Sequence, residues 1–434
     1  MTSTDPARSY VLPLGFAMTV SMWAVAYLCR LPAVMAPSYL VLVLMLAVVA
    51  LWGWLTGRRT GGGWRAGILV GAVAAVLDML ILGSLLSSAE RGGVVPSALW
   101  WVPGSILVIA LLAGAFAALA GGREEEAVAS SIWTALFSKV AVAATFLLVV
   151  AGGLVTSNEA GLAVVDWPNT FGFNMFLYPL GRMTGGVFYE HAHRLFGALV
   201  GLTMVALAVR LWRLDERTWV RRLALTAVGV VIIQGILGGL RVTGGFTLST
   251  TESDMAPSIA LAVLHGVLGQ VFLGLVVALA AVTSRRWESA PAPEPRATVP
   301  ADRVLQIWLV HTLVLQLVLG AVQRHLAWGL IIHITLAAVV AMLAVVVGAR
   351  AWGLYHGVWP VQRLGQLVLG VVSVQVTLGI AALALTQGRA IVGSPSTIEV
   401  TVATAHQATG AALLALAVAL FLWTRRLFRP DVVQ

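Results

Sequence analysis

The stretch Phe188-Tyr189-Glu190-His191-Ala192-His193-Arg194-Leu195-Phe196-Gly197-Ala198-Leu199-Val200-Gly201-Leu202-Thr203-Met204-Val205-Ala206-Leu207-Ala208-Val209-Arg210-Leu211 decides what kind of molecule this is. No side chain from Leu195 to Val209 is charged, and with its flanks the run is long enough to cross a hydrocarbon core of roughly 30 Å as one helix. Apart from Arg210, the ionisable side chains gather at one end. Glu190 and His193 are three residues apart there, so both project to one helix face. Coordinating or ionisable groups are costly inside a bilayer, and a histidine in such a run is a functional-site candidate by position alone.

The same arrangement recurs. His193, His265, His333 and His406 each sit one to two turns into the end of a separate apolar helix, and four residues further on stand Gly197, Gly269, Ala337 and Gly410. Four imidazoles at one depth on alternate helices suggest two axial ligand pairs for haem, and a small residue one turn away leaves room for a flat macrocycle. A lone histidine on a membrane helix is commonly a satisfied interhelical hydrogen-bonding residue; four in register argue against that reading. His191, His311, His325 and His356 lack the pattern and read as loop or packing residues.

Composition agrees with the membrane reading. The 434 residues are 59% hydrophobic and 10% charged, with a mean hydropathy of +0.94, outside the range of soluble globular domains. Twelve apolar runs are long enough to span: 10–29, 36–55, 66–88, 99–120, 132–155, 188–211, 223–242, 258–282, 304–323, 328–349, 364–385 and 400–423. The net charge of +9 does not point to nucleic acid, because the basic residues concentrate in alternate short loops, the positive-inside pattern. With the N-terminus in the cytoplasm, only Arg30, Arg91, Arg182, Arg241, Arg324 and Arg389 fall in external loops, and Lys139 and Arg194 lie within helices. This bias predicts a multi-pass protein of a prokaryotic plasma membrane with both termini cytoplasmic and all four histidines in the outer half of the bilayer. The single cysteine, Cys29, excludes an internal disulfide, a Cys-ligated zinc site and an iron–sulfur cluster. The first apolar run lacks a strong basic leader and continues into a polytopic pattern, so it reads as a span and not as a cleaved signal.

The predicted fold is an all-α polytopic membrane protein with about twelve transmembrane helices: four extra N-terminal helices followed by an eight-helix core of two repeated four-helix bundles. The boundaries are 1–120 for the N-terminal module, 121–131 for an acidic cytoplasmic linker with Glu124, Glu125 and Glu126, and 132–283 for the first bundle. A proline-rich cytoplasmic linker at 284–302 and the second bundle at 303–434 follow. The repeat is carried by Q-x-x-L-G, found at Gln234–Gly238, Gln316–Gly320 and Gln375–Gly379, each on the helix before a histidine helix. The first bundle opens without the glutamine: Leu148 stands in its place. These glutamines read as packing and interhelical bonding residues.

The two bundles differ in one loop. Residues 156–187 follow the first helix of the first bundle, whereas the counterpart is only 324–327. A long loop bearing Asn158, Glu159, Asp166, Trp167 and Asn174 marks the first bundle as the one that handles substrate. Glu190 beside His193 can orient the ring, hold a water or move a proton, and also has a plain reading as an acid near a helix N-terminus. Arg194 can neutralise Glu190 or pair with a haem propionate. Asp78 is an intramembrane acid with no evident partner, and most of the sixteen tryptophans fit interfacial anchoring.

From Gly152-Gly153-Leu154-Val155-Thr156 through Gly161-Leu162 to Asp166-Trp167-Pro168, then Glu190-x-x-His193-Arg194, with His265, His333 and His406 on alternate helices, the chain resembles haem A synthase, the membrane enzyme that makes haem A for terminal oxidases. The resemblance covers roughly 132–423 and leaves the four N-terminal helices unaccounted for. It implies that His193 and His265 bracket the substrate haem O with Glu190 near the reaction centre, and that His333 and His406 ligate a resident haem b. It further implies oxidation of the C8 methyl of haem O to a formyl group by successive hydroxylations with loss of water. The implied partners are the farnesyltransferase that makes haem O and an electron donor, with self-association an open possibility. Val164 and Val165 precede Asp166 where some members of that family have a cysteine pair in this loop. The residues alone stop at two tetrapyrrole sites, one with an acid and one without. The alternative is a di-haem membrane cytochrome b that carries electrons or oxidises quinol, which accounts for four histidines but not for Glu190 or the long loop.

Overall fold

The computed structural model describes residues 8–86, 94–120, 130–243, 258–387 and 394–431. Most of the acidic linker, with Arg123 and Glu124–Glu126, and the external Arg91 and Arg389 lie outside the described residues. The described helices are α1 (Val11–Arg30), α2 (Ser38–Thr60), α3 (Gly63–Leu82), α4 (Ala98–Leu119), α5 (Ser130–Ser157), α6 (Gly185–Leu214), α7 (Thr218–Thr243), α8 (Ile259–Val282), the short α9 (Arg285–Glu288), α10 (Val299–Leu326), α11 (Leu330–Leu354), α12 (Trp359–Gln387) and α13 (Thr397–Leu427). All but α9 are long and apolar enough to cross a membrane, so this is an all-α polytopic membrane fold of twelve candidate spans. Several run past the apolar limits read from sequence: α6 has 30 residues and α13 has 31. Hydropathy marks only the part of a helix that contacts hydrocarbon, while its polar ends continue the same hydrogen-bond ladder into the interface. Local signals set the starts. Ser396 and Glu399 cap each other's backbone N–H at the head of α13, a reciprocal capping box, and the Ser258 hydroxyl accepts from Leu261 N–H at the head of α8.

Packing divides the chain into two compact units, Met1–Leu148 with Ala160–Ala224, and Val149–Glu159 with Leu225–Gln434. The division runs across the sequence repeat.

In the first unit, Gly53 and Gly57 of α2 and Gly67 and Gly71 of α3 lie directly against the α4 backbone at Ala110, Ala113 and Ala117. Helices associate in lipid through such close van der Waals contact, since no water is expelled between them. On α1, Phe16 packs on Phe137 of α5, Trp23 meets Phe196 of α6 edge-on at 5.6 Å, and Tyr27 stacks on Phe188 at 5.4 Å. Asp78 finds a partner that spacing could not reveal: the Trp23 indole N–H donates to it at 3.0 Å. Toward the C-terminal end of α6 the buried Arg210 donates to Ser9 O, Ser130 O and Thr134 Oγ1, tying the start of α1 to α5 and α6.

In the second unit, α10, α11, α12 and α13 share a core containing Leu309, Ala344, Val368, Leu413 and Leu420. The end of this core at the start of α10 is closed by polar contacts. Asp302 binds Arg350 Nε at 2.6 Å and accepts from the Tyr355 hydroxyl at 2.5 Å. The proline-rich segment read as a linker is docked: strand β3 (Glu294–Arg296), numbered after β1 (Asn169–Thr170) and β2 (Phe173–Asn174) of the first unit, pairs in parallel with β4 (Phe428–Pro430), and Arg426 donates to Trp287 O, Ala290 O and Pro291 O.

Candidate functional site

The outer end of α6 begins at Thr184 in extended conformation and places Glu190 and Arg194 one turn apart. Arg194 Nη2 pairs with Glu190 Oε1 at 2.7 Å, and both side chains are nearly buried. The guanidinium donates further to Asp166 O at 2.7 Å, Asn169 O at 3.0 Å and Val164 O at 2.7 Å. Glu190 Oε2 accepts the Val164 N–H at 2.9 Å. One ion pair thus holds residues 164–169 of the long loop on the helix. The pairing of Arg194 with Glu190 is the one the sequence suggested, and its three further donor contacts to the loop carbonyls are what spacing did not reveal. Asp166 turns inward on its own loop, where its two carboxylate oxygens accept from Phe171 N–H and Gly172 N–H at the antiparallel turn between β1 and β2.

His191 is fully buried, with Nδ1 3.1 Å from Thr170 Oγ1 and its ring against Tyr178. It is the packing residue that sequence expected, and it holds the β1 strand. Tyr178, in the loop outside the spans, has its phenol raised above the ordinary value by burial, with Arg182 opposing.

The four histidines differ in their surroundings. A Cβ built at Gly197 or Gly201, on the helix of His193, would meet nothing within 4 Å, as a face for a flat group requires. At the others the expected room is used by protein. A Cβ at Gly269 would come 2.9 Å from Gln234 Nε2, and one at Gly410 3.2 Å from Gln375 Nε2. Those glycines make space for a glutamine of the preceding helix. His333 lies on α11 and His406 on α13, both in the second unit.

The donors suit haem. Among the described residues no three His, Cys, Asp or Glu side chains converge as a metal-ion cage, and haem iron asks for only one or two axial protein ligands. His406 Nδ1 and Gln316 Oε1 are buried without hydrogen-bond partners, orphan polar atoms of the sort a ligating histidine and its support leave when the iron is not counted.

Residues 177–332 match the model of the cytochrome oxidase assembly protein family, COX15-CtaA. The matched segment contains Glu190, His193, Arg194 and His265 and ends one residue before His333. Two curated proteins are similar. A haem A synthase of Rhodospirillum centenum is 26% identical over 41% of this chain and 52% of its own length. A protoheme IX farnesyltransferase of Haloarcula marismortui is 30% identical over 38% of this chain and 33% of its own. The chain therefore spans about half the length of one relative and a third of the other.

Proposed function

We propose that this chain, whose residues 177–332 match the cytochrome oxidase assembly protein family, is a haem A synthase that oxidises the C8 methyl of haem O to a formyl group, by successive hydroxylations with loss of water, for terminal oxidase assembly. The observation that carries the reading is the outer end of α6. It combines a buried carboxylate and a histidine three residues on, both within the matched segment, with an ordered loop of residues 164–169 clamped over them.

In this reading His333 and His406 hold the resident haem b, which supplies one-electron chemistry when bound. His193 and His265 serve the substrate haem, by their place in the family pattern. Glu190 holds and moves a proton at Oε1 or Oε2, and Arg194, paired with Oε1 at 2.7 Å, keeps the side chain in place. The clamped loop keeps bulk water from the outer end of α6. The repeat boundaries at 132–283 and 303–434, a plasma-membrane location with both termini in the cytoplasm, and working contact with the haem O-producing farnesyltransferase and an external electron donor belong to the same proposal. A reporter fused after Arg213 then faces the cytoplasm and one in the 156–187 loop faces outward; reversal would move every histidine to the inner leaflet.

The deciding experiment is extraction of pigment from the purified protein and from cells that express it beside a haem O source. Haem O, its hydroxylated form or haem A supports the synthase. Haem b alone, with no haem A made, would establish the di-haem carrier instead.

A further inference from the structure

The Q-x-x-L-G elements recur at the three histidines that follow them, in a shared geometry. Gln234 Nε2 donates to the main-chain carbonyl of His265 at 3.0 Å. Gln316 Nε2 donates to the carbonyl of His333, also at 3.0 Å, and lies 3.0 Å from that ring's Nδ1. Gln375 reaches the same turn of its own partner helix, where its Oε1 accepts from the Thr409 hydroxyl, which itself donates to His406 O at 3.2 Å. The glycine that ends each element faces the imidazole. A Cβ at Gly238, Gly320 or Gly379 would stand 3.2, 3.1 or 3.0 Å from Cε1 of His265, His333 or His406, and Nδ1 is the nearer ring nitrogen each time. The glycine contact recurs on all three helix pairs, and the glutamine reaches the histidine carbonyl directly in two of them and through Thr409 in the third.

We infer that Q-x-x-L-G is a histidine-positioning device: the glutamine amide pins the turn that carries the histidine, and the glycine lets the ring lie edge-on against the neighbouring helix in one orientation. Gln234, Gln316 and Gln375, with Gly238, Gly320 and Gly379, are positioning residues for His265, His333 and His406. The physical need is plain. An imidazole on a helix rotates about two side-chain bonds, and axial ligation requires one ring orientation; groups behind the ring that fix it raise affinity. The first bundle departs from the rule. Leu148 stands at the position aligned with the glutamines, so the element is not repeated in the first bundle. The part concerning haem rests on the reading proposed above; the part concerning ring orientation does not.

The test uses the full-length protein as purified, with the variants Gln316→Met, Gln375→Met and Gly379→Ala, and Leu148→Gln as the reverse change. Methionine keeps length and removes the amide. Where wild type carries haem b, the glutamine variants are expected to hold it about 10- to 100-fold more weakly, and Gly379→Ala is expected to change its low-spin absorption and electron-spin signature while the protein remains folded and monodisperse. Leu148→Gln leaves that signature unchanged. In haem-free preparations diethyl pyrocarbonate, read by mass spectrometry, is expected to modify His333 faster in Gln316→Met and His406 faster in Gln375→Met, several-fold in each case. Wild type that binds no haem overturns the haem reading, and the modification rates then judge the device alone. Unchanged modification rates, or unchanged haem retention and spectrum in all three variants, overturn the positioning role.

Discussion

Glu190→Gln is expected to cut conversion of haem O to haem A by about 10²- to 10⁴-fold, the usual worth of a positioned acid or base. The long loop should stay in place. The replacement carries an amide oxygen able to accept the Val164 N–H, which now bonds Oε2 at 2.9 Å, and Arg194 keeps its three loop carbonyls. Arg194→Met is the complementary change. It removes the cation from a nearly buried carboxylate and the donors from Val164, Asp166 and Asn169, and breaking such a pair from one side costs roughly 3–5 kcal/mol. Limited proteolysis of vesicles with the outer face exposed is expected to cleave the 164–174 region much faster in that variant. In the double variant no uncompensated buried charge is left, so its stability loss is smaller than the sum of the two. A Glu190→Gln protein with the wild-type rate and yield of haem A would reduce Glu190 to a loop clamp. An additive double variant would mean the two side chains are not energetically coupled.

His406→Ala and His333→Ala are each expected to abolish the low-spin haem b spectrum of the purified protein, because one axial position is lost and with it most of the retention. The magnitude should exceed that of any glutamine variant, since a ligand is removed and not merely its support. His325→Ala, at the outer end of α10, is expected to leave the spectrum intact and controls for general damage. Full haem content in both His333 and His406 variants would remove this pair from haem binding.

Much of the molecule was legible in linear order. Twelve spans emerged because hydropathy over about twenty residues is a property of neighbours along the chain, and the model's helices overlap each run. The ends were less legible: α6 continues to Leu214 and α13 to Leu427, where polar residues stay helical beyond the hydrocarbon. The histidines and the Q-x-x-L-G elements were visible as spacing, and the glutamines were read correctly as interhelical bonding residues. Their partners were not, nor was the use of Gly269 and Gly410 to admit a glutamine amide, because a small residue looks the same in sequence whichever group fills the space beside it.

Sequence by itself determined the membrane class and the number of candidate spans, since both follow from composition and hydropathy along the chain. Tertiary structure alone decided who meets whom. The clamp of Glu190 on Val164 joins residues 26 apart, the Trp23 bond to Asp78 joins residues 55 apart, and the Arg210 bond to Ser9 joins residues 201 apart. Such pairs are selected when helices choose neighbours by the fit of small residues and aromatic rings and bring distant polar groups into hydrogen-bond reach, a choice that no local period encodes.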